Sequence, residues 1–154
     1  MATNKKKNQQ PKETRLERNH KIFDLYLKGM TSYEIAKSLD MSGSTVRNVL
    51  RSLDRIHVKN AKDAKTYFTI GSQISTILRE NGFDPDAYAA RVTNALWVYG
   101  YTTPTKLKKL SEDEFNEFLC TKRLRMAGFA TWEAVRQFRE YSILHPVTKK
   151  RCAE

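Results

Sequence analysis

Four side chains in the N-terminal half of the chain could form hydrogen bonds with the edges of nucleic-acid bases. Ser44, Arg47, Asn48 and Arg51 recur at spacings of three and four residues, so on a helix they share one face. An Arg side chain can form two hydrogen bonds with guanine, and an Asn side chain can form two with adenine. Because no large apolar residue interrupts this face, the pattern predicts a surface for recognition and not a packed core.

The surrounding residues predict two short helices joined by a tight turn, with the polar face on the second helix. Thr31 and Glu34 form the capping-box pattern that begins the first of these helices. The turn is predicted at residues 40 and 41, and Ser42 is the predicted N-cap of the second helix. Small Ala36 would let the two helices approach closely.

A preceding helix is predicted from Leu16 to Gly29, since a left-handed glycine commonly ends a helix. With it, residues 16–53 resemble the trihelical helix-turn-helix superfamily, in particular the DNA-binding domains of sigma factors, response regulators, and transposases or resolvases. Many members have glycine in the turn where this chain has Asp40, which adopts the turn conformation less easily. The residues that carry the resemblance are Ile35, Ala36, Leu39, Met41, Ser42, Thr45, Val46 and Val49.

The resemblance implies double-stranded DNA as the partner, with the helix of residues 43–53 in the major groove. Carried over by position, Ser44, Arg47 and Asn48 are the candidates for base contacts. The candidates for phosphate contacts and for the positively charged rim, together with the outward-facing glycine of this helix, are Ser42, Thr45, Arg51, Arg55, Lys37 and Gly43.

The charge distribution favours a polyanionic partner. The chain carries 28 Lys and Arg against 17 Asp and Glu, a net charge of +11. Residues 1–60 hold 13 basic and 6 acidic groups, residues 61–90 hold 3 and 4, and residues 91–154 hold 12 and 7. Two basic blocks around a neutral one predict two surfaces that face a polyanion. Solvated lysines without a partner would give the same composition.

The pattern as a whole predicts an all-α protein in four parts. Residues 1–13 are expected to be a disordered basic arm, which either follows a phosphate backbone or only solubilises the chain. Residues 14–60 would form the helix-turn-helix domain, residues 61–145 a helical module, and residues 146–154 a flexible tail. Residues 61–65 read as either a charged connection or an extension of the helix over residues 66–79.

Cap signals predict the later helices. Asp84 with Pro85, and Thr103 with Pro104, combine an N-cap with a proline at the first helical position. Ser111 with Glu114 forms a further capping box. Gly128 is expected to break the chain, and a last helix over residues 132–144 is expected to be capped by Thr131.

Residues 92–141 resemble, in the order of their glycines and helix caps, the C-terminal domain of the bacterial RNA polymerase alpha subunit. That domain contains a helix-hairpin-helix-like element in which a glycine turn leads to a helix that contacts the DNA backbone. Phe129 is bulkier than the residue usual in that turn. A helical module that packs on its neighbours or on a second protomer is the alternative. The implied second phosphate-binding surface comprises Lys122, Arg123, Arg125, Gly128 and Thr131.

The aromatic residues of this block allow two interpretations. They could offer stacking platforms for single-stranded nucleic acid. Their helical spacing favours core packing instead. The residues concerned are Trp97, Tyr99, Tyr101, Phe129 and Trp132.

Catalysis is not indicated, and we expect no catalytic residue, no metal and no cofactor. The three histidines are scattered, and the sequence has no glycine-rich phosphate loop. Asp84 and Asp86 could imitate the two-carboxylate metal site of a nuclease, but helix capping explains them more simply. With two distant cysteines, no apolar membrane span and no signal peptide, the expected location is the cytoplasm, on the nucleoid or in the host cell of a phage.

These features together favour a bacterial or phage transcription regulator that binds double-stranded DNA. One alternative is a DNA-packaging or recombination accessory, similar to a small terminase subunit, on an oligomeric helical body. Another is an adaptor that binds RNA polymerase or another protein through residues 66–141. A homo-oligomer is plausible, because one helix-turn-helix reads only a few base pairs, and no membrane partner is expected.

Overall fold

The computed structural model describes residues 13–121, 124 and 128–141, and these form an all-α fold. None of the described residues lies in a strand, so the predicted fold class is confirmed. The predicted N-terminal arm, apart from its last residue, and the predicted C-terminal tail lie outside the described residues. No described helix is long and apolar enough to cross a membrane. The helices are α1 (Arg15–Leu27), α2 (Ser32–Leu39), α3 (Gly43–Arg55), α4 (Ala61–Glu80), α5 (Pro85–Val98), α6 (Pro104–Lys108), α7 (Glu112–Leu119) and α8 (Phe129–Arg139).

Local caps determine where most helices begin. The predicted capping boxes at α2 and α7 are both formed, and a third box, at Thr14 and Glu17, begins α1. The proline-based starts of α5 and α6 are also confirmed, with the side chains of Asp84 and Thr103 accepting the capping hydrogen bonds. Each of these caps satisfies a backbone N–H group that the helix itself leaves without an acceptor.

The structure decides one boundary that the sequence left open, and it corrects the last helix, which ends at Arg139 and not at residue 144. Residues 61–65 are an extension of α4, because Asn60 caps this helix by accepting a hydrogen bond from the Asp63 N–H group at 2.9 Å. The predicted cap at Thr131 is wrong, because α8 already begins at Phe129. Gly128 has φ 90° and ψ 176°, a conformation that only glycine adopts easily, and it brings the chain into the helix earlier. Thr131 is fully buried in the first turn of α8.

The first three helices pack on one another through their apolar sides. Ile22 of α1, Ile35 of α2 and Val46 of α3 have no exposed surface, and each of the three helices contacts the other two. Ala36 is also buried, which agrees with the expected close approach of α2 and α3. Burial of an Ile or Val side chain contributes about 1.5–3 kcal/mol, so this packing holds α3 firmly in place.

A three-residue turn joins α2 to α3. Asp40 adopts the left-handed conformation (φ 57°, ψ 55°), and the next N–H group, of Met41, donates back to the Ala36 carbonyl at 2.9 Å. Ser42 then caps α3 by accepting from the Thr45 N–H group at 3.1 Å. Every residue of this turn thus takes part in ending α2 or in beginning α3. These contacts fix the direction of α3.

The hydrophobic core continues across residue 60, where the sequence suggested a domain boundary. Gly71 of α4 lies so close to α1 that a Cβ atom there would be 2.8 Å from the Leu16 side chain. The Arg15 N–H group at the start of α1 donates to Asp86 at 2.6 Å. At the other end, the Trp97 indole N–H group donates to the Ile56 carbonyl, just after α3, at 2.7 Å. The C-terminal helices thus support the first three.

Two buried polar side chains tie the later helices together. Burial raises the pKa of Tyr67 above its usual range, so its hydroxyl stays protonated and donates to Asn94. Arg139 lies 4.3 Å from the centre of the Phe115 ring and pairs with Glu112 at 2.8 Å. Its guanidinium group also donates to backbone carbonyls at the end of α6, those of Leu107 and Leu110.

The left-handed conformation of Asp40 leads to a stability prediction. Substituting Asp40→Gly should raise the free energy of unfolding by about 0.5–1 kcal/mol, because glycine removes the steric cost of a positive φ angle. Asp40→Ala, which keeps the Cβ atom and removes the carboxylate, should not stabilise the protein. Urea denaturation of both variants measures the difference. A glycine variant no more stable than the alanine variant would contradict this account of the turn.

Candidate functional site

The face of α3 that the sequence singled out lies in solvent. Ser44, Arg47, Asn48 and Arg51 are all exposed, and Arg55 extends the row toward the end of the helix. The structure therefore places the predicted base-contacting residues together on one side of one helix. The opposite side of α3 carries the buried apolar residues Val46, Val49 and Leu53.

The positive charge of this face is not neutralised within the described part of the chain. None of the arginines of α3, nor Lys37 of α2, forms an ion pair with a described carboxylate. The one acidic residue of α3, Asp54, is bonded to Lys59 at 3.0 Å, and that ammonium group lowers the pKa of the carboxyl. The face thus keeps its charge available for an anionic partner.

The Arg47 side chain lies back over the beginning of α3, beside Gly43. A Cβ atom at Gly43 would stand 3.1 Å from Nη1 of Arg47. The first N–H groups of a helix have no acceptor inside the helix. The Arg47 guanidinium group therefore lies at the same end of α3 as the backbone N–H groups of Gly43 and Ser44. This end of α3 therefore combines the Arg47 cation with the positive end of the helix dipole.

Asn48 and Arg51 form a pair on the exposed face. Nη1 of Arg51 donates to Oδ1 of Asn48 at 3.1 Å. This hydrogen bond orients the Asn48 amide and leaves its NH₂ group directed elsewhere. Arg51, which the sequence assigned to phosphate, therefore also positions a neighbouring candidate for base contact.

Ser42 and Thr45 are engaged in the cap of α3. Their hydroxyl oxygens are 2.9 Å apart, and the Ser42 oxygen also accepts from the Thr45 backbone. Thr45 is half-buried. Both hydroxyls therefore have a structural role at the start of α3 in addition to any contact with a ligand.

Tyr33 of α2 is an exposed residue that sequence reasoning missed. Its side chain is 71% exposed, and the Lys37 ammonium group lies 5.7 Å from its ring centre. The sequence indicates its exposure only indirectly, because Tyr33 falls outside the apolar stripe formed by Ile35, Ala36 and Leu39. Together Tyr33 and Lys37 give α2 an aromatic and cationic outer face.

A groove of about 400 Å³ lies between α1 and α3 on the surface. Three of its residues, Arg15, Arg18 and Asn19, come from α1 and were not predicted. They lie at positions i, i+3 and i+4 of a helix, but only the packing of α1 shows that they face α3. A second groove, of about 490 Å³, lies between α1 and α4 and carries both charge signs. The α3 residues that line the first groove are Thr45, Asn48, Val49 and Ser52.

Only part of the predicted second phosphate-binding surface is described. Lys122, Arg123 and Arg125 lie outside the described residues. Gly128 is exposed as the N-cap of α8. Thr131 has no exposed surface, because the early start of α8 places it inside the fold.

The tryptophans of the C-terminal block are tied to the protein. Trp97 donates to the Ile56 carbonyl, and Trp132 donates to the Leu124 carbonyl at 2.8 Å. Trp97 is half-buried, whereas Trp132 keeps 37% of its surface exposed. The described aromatic side chains of this block are thus held by contacts within the fold, and the side chain of Phe129 lies outside the description. Edge-to-face contacts with Phe118 are made by Tyr99 and Tyr101.

Asp84 and Asp86, the carboxylates weighed as a metal site, and the histidine of α1 all have structural contacts. Asp84 caps α5 by accepting from the Asp86 N–H group at 3.0 Å, and Asp86 in turn accepts from Arg15. The His20 ring stacks on Phe68 with 4.4 Å between the ring centres. Among the described residues, no group of His, Cys, Asp and Glu is arranged to hold a metal ion.

Comparison with known proteins gives no relative: no family model matches the chain, and no curated protein or solved structure is significantly similar to it.

Proposed function

We propose that this protein binds double-stranded DNA, with α1–α3 acting as a helix-turn-helix unit and α3 entering the major groove. The observation that carries the proposal is the two-sided character of α3. One side is buried against α1 and α2, and the other exposes arginines, an asparagine and a serine, with which no described carboxylate forms an ion pair. A rigid helix with such a face matches the width and the hydrogen-bonding pattern of the major groove.

The residues of this face divide into two roles. Arg47, Asn48 and Ser44 lie nearest the start of α3 and would contact base edges. Arg51 and Arg55, with Lys37 of α2, would contact phosphates or raise the local positive potential. Binding in this mechanism needs no covalent step.

The biological role that we assign is regulation of transcription in a bacterium or phage. It is the role of several of the domains that residues 16–53 resemble. The net charge of +11 supports a DNA-bound location, since a cationic surface gains affinity by releasing counterions from DNA. A regulator must first recognise a defined DNA sequence. Selection of bound duplexes from a random pool tests this requirement, because the protein should enrich one site. Two symmetric half-sites in that product would indicate a dimer.

The exposed side chains of α3 provide the first prediction on binding. Arg47→Ala should cost about 1–3 kcal/mol of specific binding and relax base preference at one position of the site. Combined loss of Arg47, Asn48 and Arg51 should reduce binding of the selected duplex to the level of an unrelated duplex. Fluorescence anisotropy with both duplexes measures this. The control Arg79→Ala removes an exposed cation from α4 and should leave the preference unchanged. A triple variant that binds as the wild type does would refute the assignment of α3.

Gly43 allows a second prediction, in which stability and affinity change in opposite directions. Gly43→Ala should raise the free energy of unfolding by about 0.4–1 kcal/mol, because alanine restricts the unfolded chain more than glycine does. The new Cβ atom would stand 3.1 Å from Nη1 of Arg47, so it should shift the guanidinium group and weaken DNA binding by less than Arg47→Ala does.

A double-mutant cycle separates the two effects of this substitution. In an Arg47→Ala background, Gly43→Ala should still stabilise the fold but should no longer weaken binding. Denaturation and anisotropy measurements on the four proteins give both quantities. An affinity loss of the same size in both backgrounds would show that Gly43 does not act through Arg47.

A further inference from the structure

The groove between α1 and α3 has the chemistry of an anion site. Its polar side chains are two guanidinium groups, two amides and two hydroxyls, all of which can donate hydrogen bonds. No carboxylate of the described residues lines it. The two carboxylates bonded at the start of α1, Glu17 and Asp86, each accept from a backbone N–H group. A phosphodiester, whose oxygens only accept hydrogen bonds, fits such a lining.

Arg18 is a cation of this groove that forms no ion pair with a described carboxylate. Within the described part of the chain, its side chain forms one hydrogen bond, from Nη2 to the neighbouring Asn19 side chain at 3.4 Å. The Nε group is shielded from solvent and has no hydrogen-bond partner among the described residues. A guanidinium group has five N–H donors, so Arg18 can turn toward a phosphate without breaking an ion pair.

The groove also lies where a phosphate would be if α3 occupied the major groove. An α-helix with its side chains is about 10–12 Å across and fills a major groove about 12 Å wide, so phosphates run along both of its flanks. Asn48 belongs both to the exposed face of α3 and to the lining of the groove. Arg15 and Arg18 of α1 therefore lie on a flank of α3 along which a phosphate backbone would run.

We propose that the α1–α3 groove binds a phosphate of the DNA backbone beside α3, an assignment that rests on the proposed function. Arg15 and Arg18 neutralise the phosphate, while Asn19 and Ser52 donate hydrogen bonds to its oxygens. Such a contact carries no sequence information. It fixes how far α3 enters the groove and which base pairs its exposed face meets.

The test compares charge loss in this groove with equal charge loss elsewhere. The variants are Arg18→Met, the double variant Arg15→Met with Arg18→Met, and the control Lys65→Met with Arg79→Met. The control removes two cations that line the other groove, between α1 and α4. Affinity for a duplex selected by the wild type, and for an unrelated duplex of equal length, is measured across a series of salt concentrations.

The groove variants should bind both duplexes more weakly by the same factor and should keep the wild-type preference. The slope of log affinity against log salt should fall by about 0.9 for the phosphate lost, so the decrease in affinity from 50 to 200 mM salt becomes about three- to fourfold smaller. The control variant should keep the wild-type slope. An unchanged slope in the groove variants, or an equal change in the control, would overturn the proposal.

Single neutral methylphosphonates in the selected duplex give a second readout that does not depend on the folding of a variant. With the wild-type protein, neutralising one backbone position on the α1 flank should weaken binding. The same substitution should have a much smaller effect on the double variant Arg15→Met with Arg18→Met. If every position weakens both proteins equally, the groove does not hold a phosphate.

The two proposals fail in different ways. A wild-type protein that binds no duplex at low salt refutes the proposed function as a whole. A wild-type protein that selects a DNA sequence, with groove variants that behave as the wild type does, refutes only the phosphate site.

Discussion

Burial of one side of α3 is the constraint on which the rest of the structure depends. Ile35 and Val46, with Ile22 of α1, have no exposed surface, and they fix the rotation of α3 about its own axis. A rotation by one residue would move a buried valine into solvent and an arginine into the core, at a cost of several kcal/mol. The polar face of α3 is therefore exposed as a consequence of how its other side packs.

The C-terminal helices add to this constraint by supporting α1 and the end of α3. Asp86 of α5 accepts from the first N–H group of α1, and Gly71 of α4 admits the Leu16 side chain. Trp97 bonds to the carbonyl of Ile56, just after α3. The three N-terminal helices are thus one end of a continuous core.

Local signals in the sequence were enough to predict most of the helices. A cap depends on residues within one turn, so Thr31, Ser111 and Asp84 could be assigned correctly without knowledge of the fold. The start of α8 could not, because the conformation of Gly128 brings the chain into a helix before the residue that looked like a cap. The backbone conformation of Gly128 therefore outweighed the capping signal of Thr131.

The candidate site was only partly predictable for a related physical reason. The exposed face of α3 follows from helical periodicity, which the sequence contains. Arg15, Arg18 and Asn19 face α3 only because α1 crosses it, and that crossing depends on contacts between residues far apart in the chain. The sequence also does not show that the Arg47 guanidinium group lies over Gly43, or that Arg51 pairs with Asn48.

The most direct test of the account is to map the protein surface that changes when duplex DNA is added. Chemical shifts of the ¹⁵N-labelled protein should be recorded with a duplex enriched from a random pool. The largest changes are expected at the backbone amides of Ser44, Arg47, Asn48 and Arg51 and at the side-chain amide of Asn48, with smaller changes along α1. Changes confined to α4–α8, with α3 unaffected, would contradict it.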